Sequence, residues 1–205
     1  MIEHLSYSSI SSFLLCPRSW KYKYIDKIPT KSSPNLILGS AFHGTVESLI
    51  KGNDQNPAEL FSEKFAGILE ATSDIDWQDS DPEKTKADGL RLFQSDEILN
   101  NIRKIKPKRD VDGNPMIEKY VELWLPYIPI PIIGYIDIIL DDGTPADFKT
   151  SARNWTEKQA QDSLQSLFYI AAMQQRGIPV NWKFKHLVFV KTKTPQFQEL
   201  EHVHK

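Results

Sequence analysis

Residues Gly134 to Thr150, GYIDIILDDGTPADFKT, carry two acidic side chains and a lysine in a stretch that predicts a β-hairpin. The run 132–140 is rich in isoleucine, a β-branched residue that favours strands. Asp142-Gly143 is a strong turn signal before a second short run, 145–150. We therefore expect two antiparallel strands to deliver Asp137, Asp147 and Lys149.

The length of the turn decides whether Asp137 and Asp147 can act together. A two-residue turn would send them to opposite faces of the hairpin. A three-residue loop, 141–143 with its glycine left-handed, pairs Leu140 with Thr144 and Asp137 with Asp147. Opposed side chains have Cβ atoms roughly 4.5 to 5.5 Å apart, a spacing at which two carboxylates can share one hard divalent cation. Without a cation, we expect the two carboxylates to raise each other's pKa.

Four sequence features, the hairpin among them, stand in order along the chain. G-x-I-D followed by D-F-K-T resembles the core of the PD-(D/E)XK nucleases, in their RecB-like branch. LGSAFHGTVE with His43 lies upstream, and QSLFY, a Q-x-x-x-Y pair made by Gln165 and Tyr169, lies downstream. The opening SYSSISSFLLCPRSWKYKY is similar to the start of that branch, which includes CRISPR-associated iron-sulfur exonucleases and helicase-linked nuclease domains.

The resemblance implies an α/β fold with a restriction-endonuclease-like core, in which helices flank a central mixed β-sheet and an N-terminal helical elaboration precedes it. It implies one nuclease domain over residues 1–205, with a helical insert at 53–110. The alternative to a metal site is a surface hairpin whose acidic side chains are solvated. The apolar residues that flank both acids argue against it.

The same resemblance implies the roles of the site residues. Asp137, Asp147, the backbone carbonyl of Phe148 and His43 would hold Mg²⁺ or Mn²⁺. Lys149 would act as the electrophile or position the attacking water, together with Asp137 and Asp147 as the catalytic set. By its residues alone, His43 lies at the edge of an apolar helix face over 36–51, where a single histidine is usually structural.

Two other groups of residues are predicted to contact DNA. Gln165 and Tyr169 lie one turn apart on a helix predicted to begin near Asn154 and to end at 176, and the resemblance implies that they position a strand. A polar stripe on an amphipathic helix is the alternative. Near the N-terminus, basic and aromatic residues alternate as a groove for phosphates and stacked bases requires, among them Arg18, Lys21 and Tyr22. The alternative there is a helix with buried aromatics and solvated lysines.

The single cysteine, Cys16, cannot supply a disulfide or a four-cysteine site. In many iron-sulfur relatives the cysteine of this C-P-R segment is a cluster ligand, with three more near the C-terminus. This chain has none there, so we expect no iron-sulfur cluster and a buried, inert Cys16. The net charge of −2 means that affinity for nucleic acid must come from local patches and a bound metal.

Several remaining expectations concern the rest of the chain. No apolar run approaches the roughly 18 residues of a membrane span, and the start lacks the pattern of a signal peptide, so we expect a cytoplasmic protein without a membrane partner. The sequence predicts helices at 58–71 and 82–105, strands at 116–125 and 182–191, and no element after Lys193. Glu118 and Glu122 lie on one face of the first of these strands, where either could supply a further carboxylate to the site, but we expect both to be solvated.

These features together predict phosphodiester hydrolysis. No phosphate-binding loop of the G-x-x-x-x-G-K-[ST] type and no acyl-transfer triad is present in the sequence. By resemblance the protein is an exonuclease of DNA repair, recombination or phage and mobile-element DNA processing, which acts on single-stranded DNA or free ends, with a helicase or recombination protein as a possible partner. The alternatives are a structure-specific or restriction-type endonuclease and a non-catalytic nucleic-acid-binding module that keeps the fold.

Overall fold

The structure, a computed structural model, describes residues 2–204. Its strands are β1 (Leu5–Ser6), β2 (Ile117–Leu123), β3 (Ile132–Ile139), β4 (Pro145–Ser151), β5 (Lys183–Val190) and β6 (Gln196–Val203). Its α-helices are α1 (Tyr7–Leu15), α2 (Pro17–Trp20), α3 (Pro34–Ile50), α4 (Pro57–Ala71), α5 (Pro82–Phe93), α6 (Asp96–Lys104), α7 (Glu157–Gln161) and α8 (Leu164–Gln175), and a π-helix covers Lys21–Ile25. No helix within 2–204 is both long enough and apolar enough to cross a bilayer.

The six strands form one mixed sheet centred on β3. β2 runs antiparallel along one edge of β3, while β1 and β4 pair with residues at its two ends. Since β2 occupies one edge, β1 and β4 must share the other edge and leave a gap between them. β4 and β5 are parallel, and β6 closes the sheet antiparallel to β5. The predicted α/β architecture with a central mixed sheet and flanking helices is confirmed.

Helices cover both faces of the sheet. On one face, α3 to α6 bury an aromatic cluster that includes Phe42, Phe61 and Phe93 against Phe148 and Phe189. On the other face, α8 packs Phe168, Tyr169 and Met173 against Ile136 and Phe184. The segment 53–110 contributes α4, α5 and α6 to the first of these clusters, so its helices lie on the same core as α3.

The N-terminal helix forms where it was predicted, with a break at Pro17. Ser6 caps α1 by accepting from the amide of Ser9, whose side chain in turn accepts from the amide of Ser6. Pro17 begins α2, as its fixed φ allows, and the chain then continues as a π-helix. Cys16 is exposed, so the expectation that it is buried was wrong.

Two predicted helices are each broken in two. The helix predicted at 82–105 stops after Phe93, and Ser95 caps a new helix by accepting from the amide of Ile98. The helix predicted from Asn154 onward begins only after Thr156, which forms the capping box with Gln159, and α7 ends before α8 begins at Leu164. Both second helices begin after a serine, but only Ser95 caps its helix with its side chain, whereas Ser163 makes no side-chain capping bond.

The stretch after Lys193, for which no element was predicted, contains β6. Its sequence, QFQELEHV, carries few apolar residues because β6 is an edge strand with one face in solvent. Pairing with β5 over the full length of both strands stabilises β6, with Phe197 against Phe189 and His202 opposite Phe184. Because pairing with β5 stabilises β6 more than its own residues do, the sequence of β6 predicts a strand only weakly.

Gly134 on β3 allows α8 to approach the sheet closely, because a Cβ there would lie 2.7 Å from Phe168 Cε1 and 3.0 Å from Tyr169 Cε1. We expect Gly134→Ala to lower the free energy of unfolding by about 1–3 kcal/mol through overpacking. Gly67→Ala is the matched control, since nothing lies within 4 Å of its Cβ position on α4. It should stabilise the protein by roughly 0.5–1 kcal/mol. Urea denaturation measures both, and equal effects would contradict the close approach.

Candidate active site

The turn between β3 and β4 adopts the three-residue register. The amide of Leu140 donates to the Thr144 carbonyl at 2.9 Å, and the amide of Gly143 donates to the Leu140 carbonyl at 2.8 Å. Gly143 has φ +85°, the left-handed conformation expected of it. Ile138 pairs with Ala146, the last pair of the ladder before Asp137 and Asp147. The predicted turn is confirmed.

Asp137 lies where the regular sheet is interrupted. The ladder between β3 and β4 ends at Ile138, so Asp137 enters the gap between β4 and β1. On the other edge, Glu118 would pair with Asp137, but that pair is missing and Glu118 has φ +51°. Ile136 packs on the α8 face and Ile138 on the α3 face, although residues two apart in a regular strand share a face. Such an irregularity re-aims side chains, as β-bulges near active sites do.

The carboxylate of Asp137 replaces the missing backbone pairing. Its Oδ2 accepts a hydrogen bond of 2.7 Å from the amide of Phe148 on β4. Nδ1 of His43, on α3, lies 3.4 Å from the same oxygen. Asp137 is therefore bound to β4 and is reached by His43 from the helix above, as predicted for a shared site.

Asp147 is held from the opposite face of the sheet. It is 2% exposed, and its Oδ1 accepts hydrogen bonds from Lys149 Nζ at 2.9 Å and Gln165 Nε2 at 3.0 Å. Lys149 Nζ also lies 2.7 Å from Oδ2, although that contact lacks hydrogen-bond geometry. The two carboxylates thus approach one another across the boundary between β3 and β4, each with its own partners.

The predicted pair Gln165 and Tyr169 belongs to this network. Gln165 Oε1 accepts from Lys149 Nζ at 3.2 Å, and Gln165 Nε2 also lies 3.2 Å from the hydroxyl of Tyr169. That hydroxyl donates to the Tyr135 carbonyl at 2.7 Å. We expected both side chains to be free to bind a nucleic-acid strand, but their polar groups are bound within the protein, and their contact with DNA stays a prediction. Their hydrogen bonds hold Asp147 and Lys149 in place.

The two carboxyl groups have opposite pKa shifts. Burial and the nearby charge of Asp147 raise the pKa of Asp137 well above its usual range. Burial would also raise the pKa of Asp147, but the Lys149 ammonium, together with His186 and His43, holds that pKa below the usual range. The expectation that both pKa values rise was therefore wrong for Asp147. Asp147 is ionised at neutral pH, whereas at Asp137 the Lys149 charge only partly offsets the rise in pKa.

The protonation state of His43 suits it to bind a metal ion. Burial lowers the pKa of His43, although the charge of Asp147 acts in the opposite direction. A neutral imidazole is the form that binds a metal. The side chains of His43 and Asp137 are 31% and 12% exposed, so a small ion can reach them.

The donor set has the chemistry of a site for a hard divalent cation. The carboxylate of Asp137 and the imidazole of His43 lie beside the Asp147–Phe148 segment. Among the described residues, no lysine or arginine forms a salt bridge with Asp137. Within residues 2–204, however, no three acidic, histidine or cysteine side chains are already arranged to hold an ion. Lys149 forms a salt bridge with Asp147, and the Phe148 amide donates a hydrogen bond to Asp137 Oδ2. The residues fit Mg²⁺ or Mn²⁺ by chemistry, and binding would require the donors to move closer together around the ion, while Lys149 and Gln165 can stay on Asp147 Oδ1.

Arg18, Lys21 and Tyr22 lie on α2 and the π-helix and are exposed. Arg18 Nε donates to the Tyr22 hydroxyl at 2.8 Å, with the guanidinium carbon 5.6 Å from the ring centre. Lys21 Nζ lies 3.1 Å from Asp26. The three residues remain predicted DNA contacts on a surface with both apolar and basic side chains.

Glu118, which the sequence offered as a further carboxylate but which was expected to be solvated, is exposed near the site. Desolvation and the charge of Glu47 raise the pKa of Glu118, whose positive φ departs from the regular strand pattern. His186 was not identified from the sequence. His186 on β5 is completely buried, with Nδ1 3.8 Å from Asp147 Oδ2. His186 lies in an apolar run, KFKHLVFV, and a histidine there is the one available signal.

Asp137→Asn tests the electrostatics in the absence of metal. The folded-state pKa of Asp137 is raised, so its contribution to stability is complete below pH 3.8 and is lost as pH rises through the folded-state value. The asparagine oxygen can still accept from the Phe148 amide. At pH 8 in EDTA, we expect a higher Tm than in the wild type, by about 2–4 °C for each kcal/mol of relieved cost.

The gain in Tm should shrink as the pH is lowered toward 4, because the wild-type carboxyl then binds a proton. Thermal unfolding followed by circular dichroism from pH 4 to pH 8 measures this difference. A Tm for Asp137→Asn below that of the wild type at pH 8 would contradict the assigned cause.

Comparison with known proteins agrees with this geometry. The fold resembles the crystal structure of a candidate exonuclease from Eubacterium rectale, with a TM-score of 0.64 and 12% sequence identity, over 98% of this chain and 73% of that one. At this identity the likeness establishes the fold alone. No curated protein matches the sequence. A family model matches residues 4–202, and the chain therefore belongs to the PD-(D/E)XK nuclease superfamily.

Proposed function

We propose that this protein is a metal-dependent deoxyribonuclease that hydrolyses phosphodiester bonds, most simply as an exonuclease. The observation that carries the proposal is the contrast between its two facing acids. Asp147 is ionised and paired with Lys149, whereas Asp137 is partly exposed, has a raised pKa, and has no lysine or arginine in salt-bridge contact among the described residues. Nucleases of this superfamily typically use divalent metals.

The residues that would hold Mg²⁺ or Mn²⁺ are Asp137, Asp147, His43 and the backbone carbonyl of Phe148. Such an ion, when bound, lowers the pKa of a water ligand and neutralises charge that develops on the phosphate. Oxygen donors with one neutral imidazole match this pair of ions. The chain's one cysteine cannot supply the ligands of an iron-sulfur cluster, and we expect no such cluster.

Lys149 retains donor capacity for the substrate. An ammonium group has three N–H donors, and Asp147 Oδ1 and Gln165 Oε1 accept two of them. The side chain is 30% exposed, so the third donor can reach the scissile phosphate or the attacking water. Asp147 and Gln165 keep the ammonium oriented, which favours stabilisation of charge in the transition state.

The acidic character of the site explains why a cation is required. The carboxylates of Glu47 and Glu118 are close enough to Asp137, Asp147 or His43 to affect their pKa values or be affected by them. A phosphate that approached this group of acids would be repelled, and Lys149 alone cannot offset them. Divalent cations would convert the repulsion into attraction, so cleavage should depend on them.

The substrate and setting follow from resemblance and from surface chemistry. Arg18, Lys21 and Tyr22 offer cationic and aromatic groups that could contact a single strand or a free DNA end. We propose a role in DNA repair, recombination or mobile-element DNA processing in the cytoplasm, with a helicase or recombination protein as partner. The described helices give no membrane span.

Two alternatives make different claims about the same site. A non-catalytic module would have no need for an ionised Asp147 bound to Lys149 beside a second acid, and such a site favours catalysis. A structure-specific or restriction-type endonuclease would use the same metal chemistry. It would differ only in the path by which DNA reaches the site.

Asp147→Ala and Lys149→Ala separate the roles of the two residues. We expect Asp147→Ala to lose both Mn²⁺ binding and cleavage, because a ligand is removed. Lys149→Ala should still bind Mn²⁺ but lose about 10²–10³-fold in kcat, the usual loss of a transition-state donor. Calorimetry and a fluorescent DNA substrate provide the two measurements.

Lys183→Ala is the control for these variants, since Lys183 pairs with Glu201 on the exposed side of β5 and touches none of the site. It should bind and cleave as the wild type does. Cleavage retained in Asp147→Ala would refute the mechanism.

DNA topology distinguishes an exonuclease from its alternatives. We expect end-labelled linear DNA to be degraded from its ends in the presence of Mn²⁺, while closed circular single- and double-stranded DNA stays intact. EDTA should abolish the reaction. Internal cuts in circular DNA would indicate the endonuclease, and binding without cleavage of any substrate would indicate the non-catalytic module.

A further inference from the structure

His186 is a completely buried polar residue directly beside Asp147. The two residues are partners in the parallel ladder of β5 and β4, so their side chains point to the same face of the sheet. His186 Nδ1 lies 3.8 Å from Asp147 Oδ2, and both side chains are at most 3% exposed. The distance is about 1 Å longer than a hydrogen bond.

The hydrogen-bonding groups of these two residues are incompletely satisfied. In the part of the chain that the structure describes, neither ring nitrogen of His186 has a hydrogen-bond partner, and Asp147 Oδ2 has none of normal geometry. The hydrogen bonds from Lys149 and Gln165 both go to Oδ1 of Asp147. Buried polar groups without partners are costly, so a donor and an acceptor left facing each other call for an explanation.

Packing fixes the position of the imidazole but does not require its polarity. The ring of His186 lies 5.2 Å from that of Trp155, 5.0 Å from that of Phe184 and 5.8 Å from that of His202, between ring centres. A phenylalanine or leucine would fill such a space without the cost of buried nitrogens. The polar atoms of His186 are therefore better explained by Asp147 than by the core.

We propose that His186 is a positioning residue for Asp147, donating a hydrogen bond from Nδ1–H to Oδ2 when Asp147 ligates a divalent cation. Lys149 and Gln165 then hold Oδ1 while His186 holds Oδ2, and the carboxylate cannot rotate. Partners of this kind orient metal ligands and strengthen metal binding. The inference rests on the proposed metal-dependent function and assigns a role that the sequence motifs do not contain.

The test compares His186→Phe, which keeps a ring but removes the donor, with His186→Asn, whose amide can replace Nδ1–H. We expect His186→Phe to weaken Mn²⁺ affinity by about 10–100-fold, as loss of a ligand's hydrogen-bond partner does. Its kcat should fall with the KM for DNA unchanged. His186→Asn should restore most of the affinity. Calorimetry with Mn²⁺ alone measures the affinity independently of cleavage.

The Tm of the His186 variants distinguishes a positioning role of His186 from a structural one. His186→Phe removes buried nitrogens without partners, so its Tm in EDTA should equal or exceed that of the wild type. Trp155→Phe is the matched control, because it alters the same aromatic surroundings and leaves the Asp147 contact in place. It should not change Mn²⁺ affinity.

Several outcomes would overturn the proposal. Equal Mn²⁺ affinity in the wild type and His186→Phe would refute it, as would a His186→Asn variant that binds no better than His186→Phe. A wild type that binds no Mn²⁺ would instead refute the proposed function, and this inference with it.

A measurement on the wild type keeps the test decisive if the phenylalanine variant does not fold. Nitrogen-15 NMR of the histidines, in the presence of saturating Mg²⁺, reports which ring nitrogen carries the proton. We expect His186 to carry it on Nδ1. A proton on Nε2 would leave Nδ1 unable to donate and would overturn the proposal.

Discussion

The register of one hairpin turn is the constraint on which the rest of this site depends. Gly143 takes a positive φ, the three-residue loop follows, and the ladder then pairs Ile138 with Ala146, which brings the neighbouring Asp137 and Asp147 close together. Had the loop one residue fewer, the two acids would lie on opposite faces, and no side chain movement could bring them together. The position of Lys149 and the approach of His43 both depend on this register.

A local departure from regular structure lies at the two acids of the proposed site. β3 and β4 separate beyond Ile138, and the Asp137 carboxylate takes the Phe148 amide that a regular ladder would have bound to backbone. On the other edge of β3, Glu118 adopts a positive φ. Each of these features costs stability by itself, and both lie at the proposed metal site. Strain concentrated at a functional site is common, because surrounding structure holds it in place.

The two faces of the sheet have separate roles in the site. The α3 face supplies His43 to Asp137, while the α8 face supplies Gln165, Tyr169 and the buried His186 around Asp147. Asp147 is therefore ionised and held in one orientation, whereas Asp137 has a raised pKa, which a bound cation would lower. In the proposed metal site, Asp147 would therefore be a rigidly oriented ligand, and Asp137 would be the carboxylate whose ionised form the cation stabilises.

Much of this arrangement was predictable from the sequence because its determinants are local. Turn chemistry at Asp142-Gly143 determined the register, the β-branched run determined β3, and the spacing of Asp147 and Lys149 determined their common face. The order of the motifs around them was sufficient to indicate the superfamily. Only the tertiary structure decided the rest. β6 depends on pairing with β5, the Q-x-x-x-Y pair is bound internally instead of free, and the opposite pKa shifts of Asp137 and Asp147 depend on burial and on which neighbour reaches which oxygen. These are contacts between residues distant in the chain, which no local pattern encodes.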